Sequence, residues 1–353
     1  ITVIRDGEYV KTLNTTETSI PEVISLMVGR KVDQDQRPDV RPISKEVVLK
    51  AEGISDARLL QDVSFELHKG EILGFAGLMG AGRTELARAL IGADPKTAGK
   101  IFLRGKEVKI KSPSDAVKNG IGYLSEDRKK YGLLLIQNLT FNVILSSIPS
   151  FSNKFGFLKT KSAGSITRGA IKQLSIRTPS ENQFLKNLSG GNQQRVVIAK
   201  WLTRDCDILI FDEPTRGIDV GAKDEIYKLA KKGSTVIFST HRMEQVEEIC
   251  EQIVLMNKGK IILNDTVVNA KKQFQKGAYI LRGERLEHLT PENELYSGER
   301  LTDKEFKFCL KEGKKTNELL AYLSNQDIEL SSLAIDTPTL NEIFIELVKG
   351  DNS

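Results

Sequence analysis

The sequence contains no apolar run of the roughly 18 residues that a membrane-spanning helix needs. We therefore expect the chain not to cross a bilayer itself, although it can dock on a protein that does. Its net charge of +5 comes from Lys and Arg spread along the chain rather than gathered in a basic stripe. Because nucleic-acid binders typically carry such a stripe or aromatic platforms, we expect no nucleic-acid partner.

Cysteine is scarce, with Cys206, Cys250 and Cys309 the three in the chain. Their spacing matches neither a metal site nor a redox motif. Cys206 and Cys250 stand among apolar residues, so we expect both to be buried as small hydrophobic side chains. Unpaired cysteines are typical of the reducing cytosol.

Short apolar runs at residues 71–76, 208–211 and 235–238 are typical of buried strands, and helical patterns separate them. This alternation predicts a largely parallel sheet of the α/β class. Residues 126–187 are richer in helical pattern and are predicted to be an insert. Residues 266–353 are rich in Lys and Glu with weaker apolar runs, which favours a small, separate α+β domain.

The beginning of the chain resembles a later segment. Residues 3–10 and 255–262 each have the pattern strand, tight turn, strand, with Gly7 and Gly259 in register. We interpret the first segment as the end of a preceding copy of the same domain; an unrelated hairpin is the alternative. The predicted boundaries are 1–36 for this end piece and its linker, 37–265 for the complete domain, and 266–353 for the C-terminal domain.

A glycine-rich stretch follows the first apolar run. Residues 77–84, Gly-Leu-Met-Gly-Ala-Gly-Arg-Thr, match the phosphate-loop pattern of glycine, four residues, glycine, a basic residue and Ser or Thr. Its backbone N–H groups and the following helix N-terminus suit phosphate oxygens. Arg83 departs from the usual lysine and offers a wide planar fork instead of a compact ammonium. We predict that this loop binds ATP, with Thr84 on Mg²⁺, and turns it over slowly.

Residues 188–194, Leu-Ser-Gly-Gly-Asn-Gln-Gln, precede another helical run and are called the signature below. Ser189 with Gly190 and Gly191 can present a hydroxyl and backbone N–H groups to a γ-phosphate. The alternative is a plain glycine turn that caps a helix.

Acidic residues directly follow the second apolar run, where they are costly without a task. Asp212 is suited to hold Mg²⁺ through water and Glu213 to polarise an attacking water. His241 ends the next predicted strand, where ligands gather in open α/β sheets, and is a candidate γ-phosphate sensor. A lone histidine is more often structural, which is the alternative here.

The phosphate loop, signature, acidic pair and histidine, in this order, resemble the ATPase domain of ABC proteins. The resemblance implies a P-loop NTPase with an antiparallel β subdomain, a helical insert, and ATP and Mg²⁺ as cofactors. It also implies a partner, a second ATPase half or a second copy, whose signature completes each phosphate loop. Glu126 stands at the glutamine-loop position, which touches Mg²⁺ and couples to the membrane subunit, and Asp219 at the D-loop. No adenine-stacking aromatic is apparent near Leu59.

The site implied by the resemblance has four parts. The nucleotide-binding residues are Gly77, Gly80, Gly82, Arg83, Thr84 and Glu85. The signature residues are Ser189, Gly190, Gly191, Asn192 and Gln193. The metal ligands are Thr84, Asp212 and Glu126. Glu213 and His241 are the catalytic residues.

Residues 1 to about 225 are similar to the second ATPase half of tandem importers for ribose, galactose or xylose. Arg83, Ser125-Glu126-Asp127-Arg128-Lys129, the Asn-Gln-Gln end of the signature and residues 214–223 carry this similarity. It implies permease subunits in the membrane, an indirect sugar-binding protein, and a peripheral place on the cytoplasmic face of the membrane.

The chain from about residue 233 resembles exporter-type ABC ATPases with a small C-terminal domain. His241 is present, whereas the importers' second half typically lacks this histidine. We hypothesise a mosaic, natural or engineered, with its junction between Ala222 and Gly233. An ATPase powering sugar import is the leading interpretation. The alternatives are an exporter-type ATPase, a catalytically weak half that donates its signature to a partner, and a soluble ABC protein of translation or DNA repair.

Overall fold

The computed structural model of the protein describes residues 1–5, 8–15, 17–28, 44–214, 233–275 and 277–350. Gly7, Asp219, most of the expected linker and the expected junction up to residue 232 lie outside the described residues. The chain divides into two compact units, Ile1–Asp265 and Thr266–Ser353.

The first unit contains both strands and helices, and helices separate several of its strands. Its described strands are β1 (Thr2–Arg5), β2 (Glu8–Thr12), β3 (Val47–Ser55), β4 (Val63–His68), β5 (Ile72–Ala76), β6 (Ala98–Leu103), β7 (Lys106–Val108), β8 (Ile121–Leu124), β9 (Ile208–Asp212), β10 (Thr235–Thr240), β11 (Gln252–Asn257) and β12 (Lys260–Thr266). Its described helices are α1 (Ile20–Val28), α2 (Arg83–Leu90), α3 (Pro113–Lys118), α4 (Leu139–Ile144), α5 (Thr160–Gln173), α6 (Gly190–Arg204) and α7 (Met243–Ile249).

Six strands form the central sheet in the order β12-β11-β5-β10-β9-β8. The pairs β11/β5, β5/β10, β10/β9 and β9/β8 are parallel. Strands β5, β9 and β10 are buried along their whole length, so their sequences are apolar runs rather than alternating patterns. The three predicted strands and the parallel α/β sheet are confirmed, with ends within two residues of the prediction.

An antiparallel sheet of order β4-β3-β6-β7 packs against the central sheet through one continuous apolar core. Phe65 on β4 and Phe75 on β5 join the two sheets, with ring centroids 4.9 Å apart in an edge-to-face arrangement. Edge-to-face aromatic pairs add stability beyond the area they bury. Strand β5, which leads into the phosphate loop, is therefore packed against the antiparallel sheet. Cys206 and Cys250 are buried, as predicted.

Helical segments separate β8 from the signature. A single π-helical turn at Arg128–Gly132 is followed by α4, a 3₁₀ segment at Leu145–Phe151, α5 and a short 3₁₀ turn at Leu185–Asn187. Ile144, Phe151 and Ala163 form a small apolar cluster of their own within this region.

The second unit has an antiparallel sheet of order β14-β15-β13-β16. Its described elements are α8 (Val267–Gln273), β13 (Ala278–Glu284), β14 (Tyr296–Thr302), β15 (Glu305–Leu310), α9 (Thr316–Ser324), β16 (Glu329–Ile335) and α10 (Leu340–Gly350). Its core includes Tyr296, Phe306 and Phe308, and the rings of Tyr296 and Phe308 lie 4.6 Å apart, centroid to centroid. The unit has the α+β character that the sequence predicts.

Candidate functional site

The phosphate loop lies between the fully buried strand β5 and helix α2. Gly82 has a φ of +104°, in the left-handed region that favours glycine, and the helix begins at the next residue, Arg83. The helix buries an apolar face containing Leu86 and Leu90 against the core. Thr84 and Glu85, half-buried in the first helical turn, lie next to the loop at the carboxyl end of β5.

Asp212 ends β9 and is 1% exposed. Its carboxylate accepts hydrogen bonds from the hydroxyls of Thr84 (3.2 Å), Tyr123 (3.0 Å) and Ser239 (3.2 Å). These donors come from the phosphate-loop helix, β8 and β10. Burial raises the pKa of Asp212, while the three hydroxyl donors act to lower it.

Glu213 lies directly after β9 and forms an ion pair with the phosphate loop. Arg83 Nη1 donates a hydrogen bond of 2.7 Å to Glu213 Oε1. The same oxygen accepts the backbone N–H of His241 at 2.7 Å, and His241 Nδ1 lies 3.0 Å from it. Thr240 Oγ1 donates to the other oxygen, Oε2, at 3.3 Å. The structure therefore brings Arg83, Glu213 and His241 together at the carboxyl ends of β5, β9 and β10.

The pKa of Glu213 is lowered from its ordinary value. Burial acts to raise it, but the hydrogen bonds and positive charge of Arg83, together with the contact to His241, outweigh that effect. Glu213 is therefore held as a carboxylate whose Oε1 already has three close partners. This oxygen is therefore occupied while Arg83 remains in place.

The backbone of Glu213 has a φ of +47°, which L-residues other than Asn and Asp seldom adopt. The backbone is fixed there because Glu213 N donates to Ser239 O at 2.9 Å. Unusual backbone conformations of this kind cluster at functional sites, where the surrounding structure compensates for the strain.

The signature lies at the start of α6. Ser189 is exposed, and its hydroxyl accepts a hydrogen bond of 3.0 Å from Asn192 Nδ2. Gln193 is buried, and its amide Nε2 donates to the carbonyls of Leu185 and Leu188, both at 3.1 Å. Asn192 and Gln193 thus contact the protein's own loop, while Ser189, Gly190 and Gly191 are the more accessible members.

Sequence reasoning missed Tyr123, Ser239 and Thr240, which contact the two carboxylates. Each lies at or near the carboxyl end of a strand neighbouring β9. Ligands bind at these strand ends in open α/β sheets, so this position could have marked all three as site residues in the sequence. Glu126, two residues past β8, is half-buried; its assignment as a metal ligand remains a prediction, and so does the D-loop role of Asp219, outside the described residues.

The oxygen ligands suit Mg²⁺. The Thr84 hydroxyl and the Asp212 carboxylate lie 3.2 Å apart, and hard oxygen donors are what this ion prefers. Within the described ranges no cluster of three or more His, Cys, Asp or Glu side chains is arranged to hold a metal ion by itself. A magnesium ion at Thr84 and Asp212 would take its remaining ligands from water and phosphate oxygens.

The fold and the phosphate loop define a P-loop nucleotide-binding domain. Residues 60–216 match the family model described as ABC transporter, and residues 266–348 match the model described as ATP-binding protein DrrA1-3-like, C-terminal domain. The chain therefore belongs to the ABC transporter ATP-binding family and carries a DrrA-like C-terminal domain.

Curated relatives are similar over most of the chain. A ribose/galactose/methyl galactoside import ATP-binding protein 2 of Burkholderia cenocepacia (strain HI2424) is 50% identical over 265 residues, 74% of this chain and 52% of that protein. A ribose/galactose/methyl galactoside import ATP-binding protein 1 of Agrobacterium fabrum (strain C58) is 44% identical over 267 residues, with the same shares. The chain thus spans about half the length of the curated relatives it matches.

Solved structures share the fold at low identity. The ADP conformation of MJ1267, an ATP-binding cassette of an ABC transporter, aligns with a TM-score of 0.53 and 21% identity over 64% of this chain and 94% of that chain. The cbiO1 protein from Clostridium perfringens aligns with a TM-score of 0.54 and 23% identity over 65% and 93%. In the part of the chain that the structure describes, no helix has the length and apolar character to span a membrane.

Proposed function

We propose that this chain is the ATP-binding and hydrolysing subunit of an ABC transporter that imports a ribose-type monosaccharide. The observation that carries the ATPase part is the meeting of two hydrogen-bonded groups at the phosphate loop. Arg83 and His241 both contact Glu213, and Thr84 contacts Asp212, the residue before Glu213. The names of the relatives, sugar import ATP-binding proteins at up to 50% identity, carry the substrate class.

In this proposal each residue has a distinct task. The phosphate loop from Gly77 to Thr84 binds the triphosphate, with Glu85 in the same helical turn. Thr84 and Asp212, with Glu126, hold Mg²⁺, which neutralises phosphate charge when bound. Glu213 orients and polarises the attacking water, and His241 contacts the γ-phosphate.

Hydrolysis requires Arg83 to leave Glu213. Arg83 directly follows Gly82 at the end of the phosphate loop, so its guanidinium can turn towards a bound triphosphate, which carries more negative charge than one carboxylate. Its departure frees Glu213 Oε1 to accept a hydrogen bond from water. The ion pair is buried, so breaking it costs free energy. We therefore expect slow turnover.

The proposed assembly follows from the family resemblance. A second ATPase half or a second copy of this chain faces the phosphate loop with its own signature. Ser189, Gly190 and Gly191 of this chain act in turn on the ATP of that partner, with Asp219 near the contact. Permease subunits anchor the pair at the cytoplasmic face of the membrane, and a sugar-binding protein acts through them. We propose the boundaries 1–36, 37–265 and 266–353 for the end of a preceding half, the ATPase domain and the C-terminal domain.

Two observations favour other candidates. The buried Arg83–Glu213 pair favours a catalytically weak half that mainly donates its signature. Residues 266–348 match a second family model. Together with the resemblance of the chain from about residue 233 to exporter-type ATPases, this second domain favours an exporter-type ATPase.

Reconstitution in vesicles tests the importer proposal. The chain would be combined with permease and sugar-binding subunits of the relatives' type, and ATP hydrolysis measured with and without ribose. We expect hydrolysis to rise several-fold with ribose and binding protein. If the chain binds the permease but ribose and the binding protein leave the hydrolysis rate unchanged, the sugar-import proposal is wrong. The proposed ATP hydrolysis would still stand.

A further inference from the structure

The turn between β11 and β12 touches the phosphate loop. It consists of Lys258 and Gly259, with φ of 47° and 78°. Hairpin turns commonly project into solvent, but Gly259 is buried, and its N–H donates a hydrogen bond of 2.9 Å to the carbonyl of Ala81 in the phosphate loop. The turn thus supports the loop from the side of the strand hairpin.

The same glycine contacts a second segment. Its carbonyl accepts a hydrogen bond of 2.9 Å from Gln61 N–H. A Cβ atom added to Gly259 would stand 1.8 Å from the carbonyl oxygen of Leu59, far inside van der Waals contact. Backbone atoms on three segments therefore meet at this point, and no side chain larger than hydrogen fits there.

The segment from Asp56 to Gln61 is itself well fixed. Asp56 Oδ1 accepts backbone hydrogen bonds from Arg58 (2.9 Å), Leu59 (2.6 Å) and Leu60 (2.8 Å). The segment also borders the phosphate loop directly, because Leu60 Cδ2 lies 3.2 Å from the position of a Cβ on Gly82. We call residues 56–61 the flanking loop.

We propose that Gly259 is a positioning residue of the nucleotide site. It sets the separation between the phosphate loop and the flanking loop, and thereby the fit of the nucleoside part of ATP. This inference rests on the proposed ATP binding and adds a residue to it. A side chain at position 259 pushes the flanking loop away, while β5 and α2 keep the phosphate loop in place.

The chain offers a matched control. Arg104 and Gly105 form the turn between β6 and β7, with φ of 48° and 76°, nearly the values of Lys258 and Gly259. A Cβ on Gly105 meets nothing within 4 Å. Gly105→Ala and Gly259→Ala therefore share the same backbone strain, and Gly259→Ala alone adds the collision with the flanking loop.

The test compares affinities for Mg·ATP and Mg·tripolyphosphate by calorimetry. We expect Gly259→Ala to lose at least tenfold in ATP affinity but less than threefold in tripolyphosphate affinity, with Gly105→Ala within twofold of wild type for both. ATP affinity within twofold of wild type, or an equal loss for both ligands, would overturn the inference. Absence of ATP binding by the wild type would instead overturn the proposed function.

If Gly259→Ala does not fold, hydrogen exchange of the wild type tests whether the Lys258–Gly259 turn belongs to the nucleotide site. We expect Mg·ATP to slow exchange of the Gly259 and Gln61 amides at least fivefold. The Arg104 amide, which donates to Val48 O at 3.0 Å in the control turn, should not change. Unchanged exchange at both Gly259 and Gln61 with ATP bound would refute the role of the turn.

Discussion

Arg83 and Glu213 form a buried ion pair, with Arg83 Nη1 2.7 Å from Glu213 Oε1 and each side chain 8% exposed. The residues stand 130 positions apart and meet because β5 and β9 both lie beside β10 and end at the same edge of the sheet. The pair joins the unusual residue of the phosphate loop to the proposed catalytic carboxylate. Removing one partner leaves a buried charge, which typically costs several kcal/mol, so the paired arrangement is strongly favoured over one in which either group is buried alone.

Arg83→Lys is expected to raise the rate of ATP hydrolysis. A compact ammonium fits the phosphate loop better than a planar fork and holds Glu213 less firmly. We expect an increase of about tenfold in the single-turnover rate, or about 1.4 kcal/mol in the barrier. Quenched-flow measurement with ATP bound checks it.

Arg88→Lys is the matched control for this change. Arg88 lies on the same helix but pairs with Asp94, through two hydrogen bonds of 2.6 and 2.8 Å. The Arg88→Lys variant should have a hydrolysis rate within twofold of wild type. If Arg83→Lys leaves both ATP affinity and turnover unchanged, the inhibitory role of the ion pair is wrong.

Tyr123→Phe is expected to shift the acid side of the pH–rate profile to higher pH. The Tyr123 hydroxyl donates to Asp212, and this contact opposes the rise in the pKa of Asp212 that burial causes. Without it the pKa of Asp212 rises further, so the carboxylate that we propose to hold Mg²⁺ is lost at a higher pH. A hydrogen bond to a charged group is worth about 1.5–3 kcal/mol, so we expect the acid limb to shift by about one to two pH units.

Hydrolysis at limiting Mg²⁺ measures this shift, and the Mg²⁺ concentration at half-maximal rate should rise as well. Tyr131→Phe removes the same hydroxyl from an exposed position and should leave the profile in place. An acid limb that coincides with wild type in Tyr123→Phe would show that Asp212 does not govern it.

Lys200→Met is expected to change how stability depends on pH. Lys200 on α6 is 5% exposed and donates to Gly132 O at 2.8 Å, and burial lowers its pKa from 10.5 to about 8. Between pH 8 and 10.5 the unfolded chain holds a proton that the folded chain has released. Unfolding then takes up a proton and becomes less favourable as pH rises. From pH 8 to 10.5, the free energy of unfolding of wild type should rise by up to about 3 kcal/mol relative to that of Lys200→Met.

Urea unfolding at several pH values from 7 to 10.5 measures the difference between the two proteins. Lys172→Met, at an exposed position on α5, is the control and should track wild type at every pH. A constant offset between wild type and Lys200→Met would mean that Lys200 is charged in the folded protein throughout the range.

Much of the first unit was predictable because its buried strands are short apolar runs between helical patterns. The hairpin at residues 255–262 was visible from its Lys-Gly turn. The strand order, with β10 between β5 and β9, was not, because periodicity shows what is buried and not which strands are neighbours. The contact of Gly259 with Leu59 likewise depends on tertiary packing.

The phosphate loop and acidic pair were predictable because their chemistry is carried by consecutive residues. The contact between Arg83 and Glu213 was not, since it depends on two strand ends meeting and on the left-handed backbone of Glu213. Gln193 is a similar case. The resemblance makes it a signature residue, but its contacts depend on tertiary packing, in which its buried amide donates to the carbonyls of Leu185 and Leu188.

Single-turnover hydrolysis by wild type and Glu213→Gln tests the central claim most directly. Glutamine keeps the shape of the side chain but cannot act as a carboxylate, and it competes less for Arg83. We predict that Glu213→Gln binds Mg·ATP at least as tightly as wild type. Its hydrolysis rate should be at least about a hundredfold lower, the loss expected when a general base is removed. Equal hydrolysis rates in the two proteins would contradict the account.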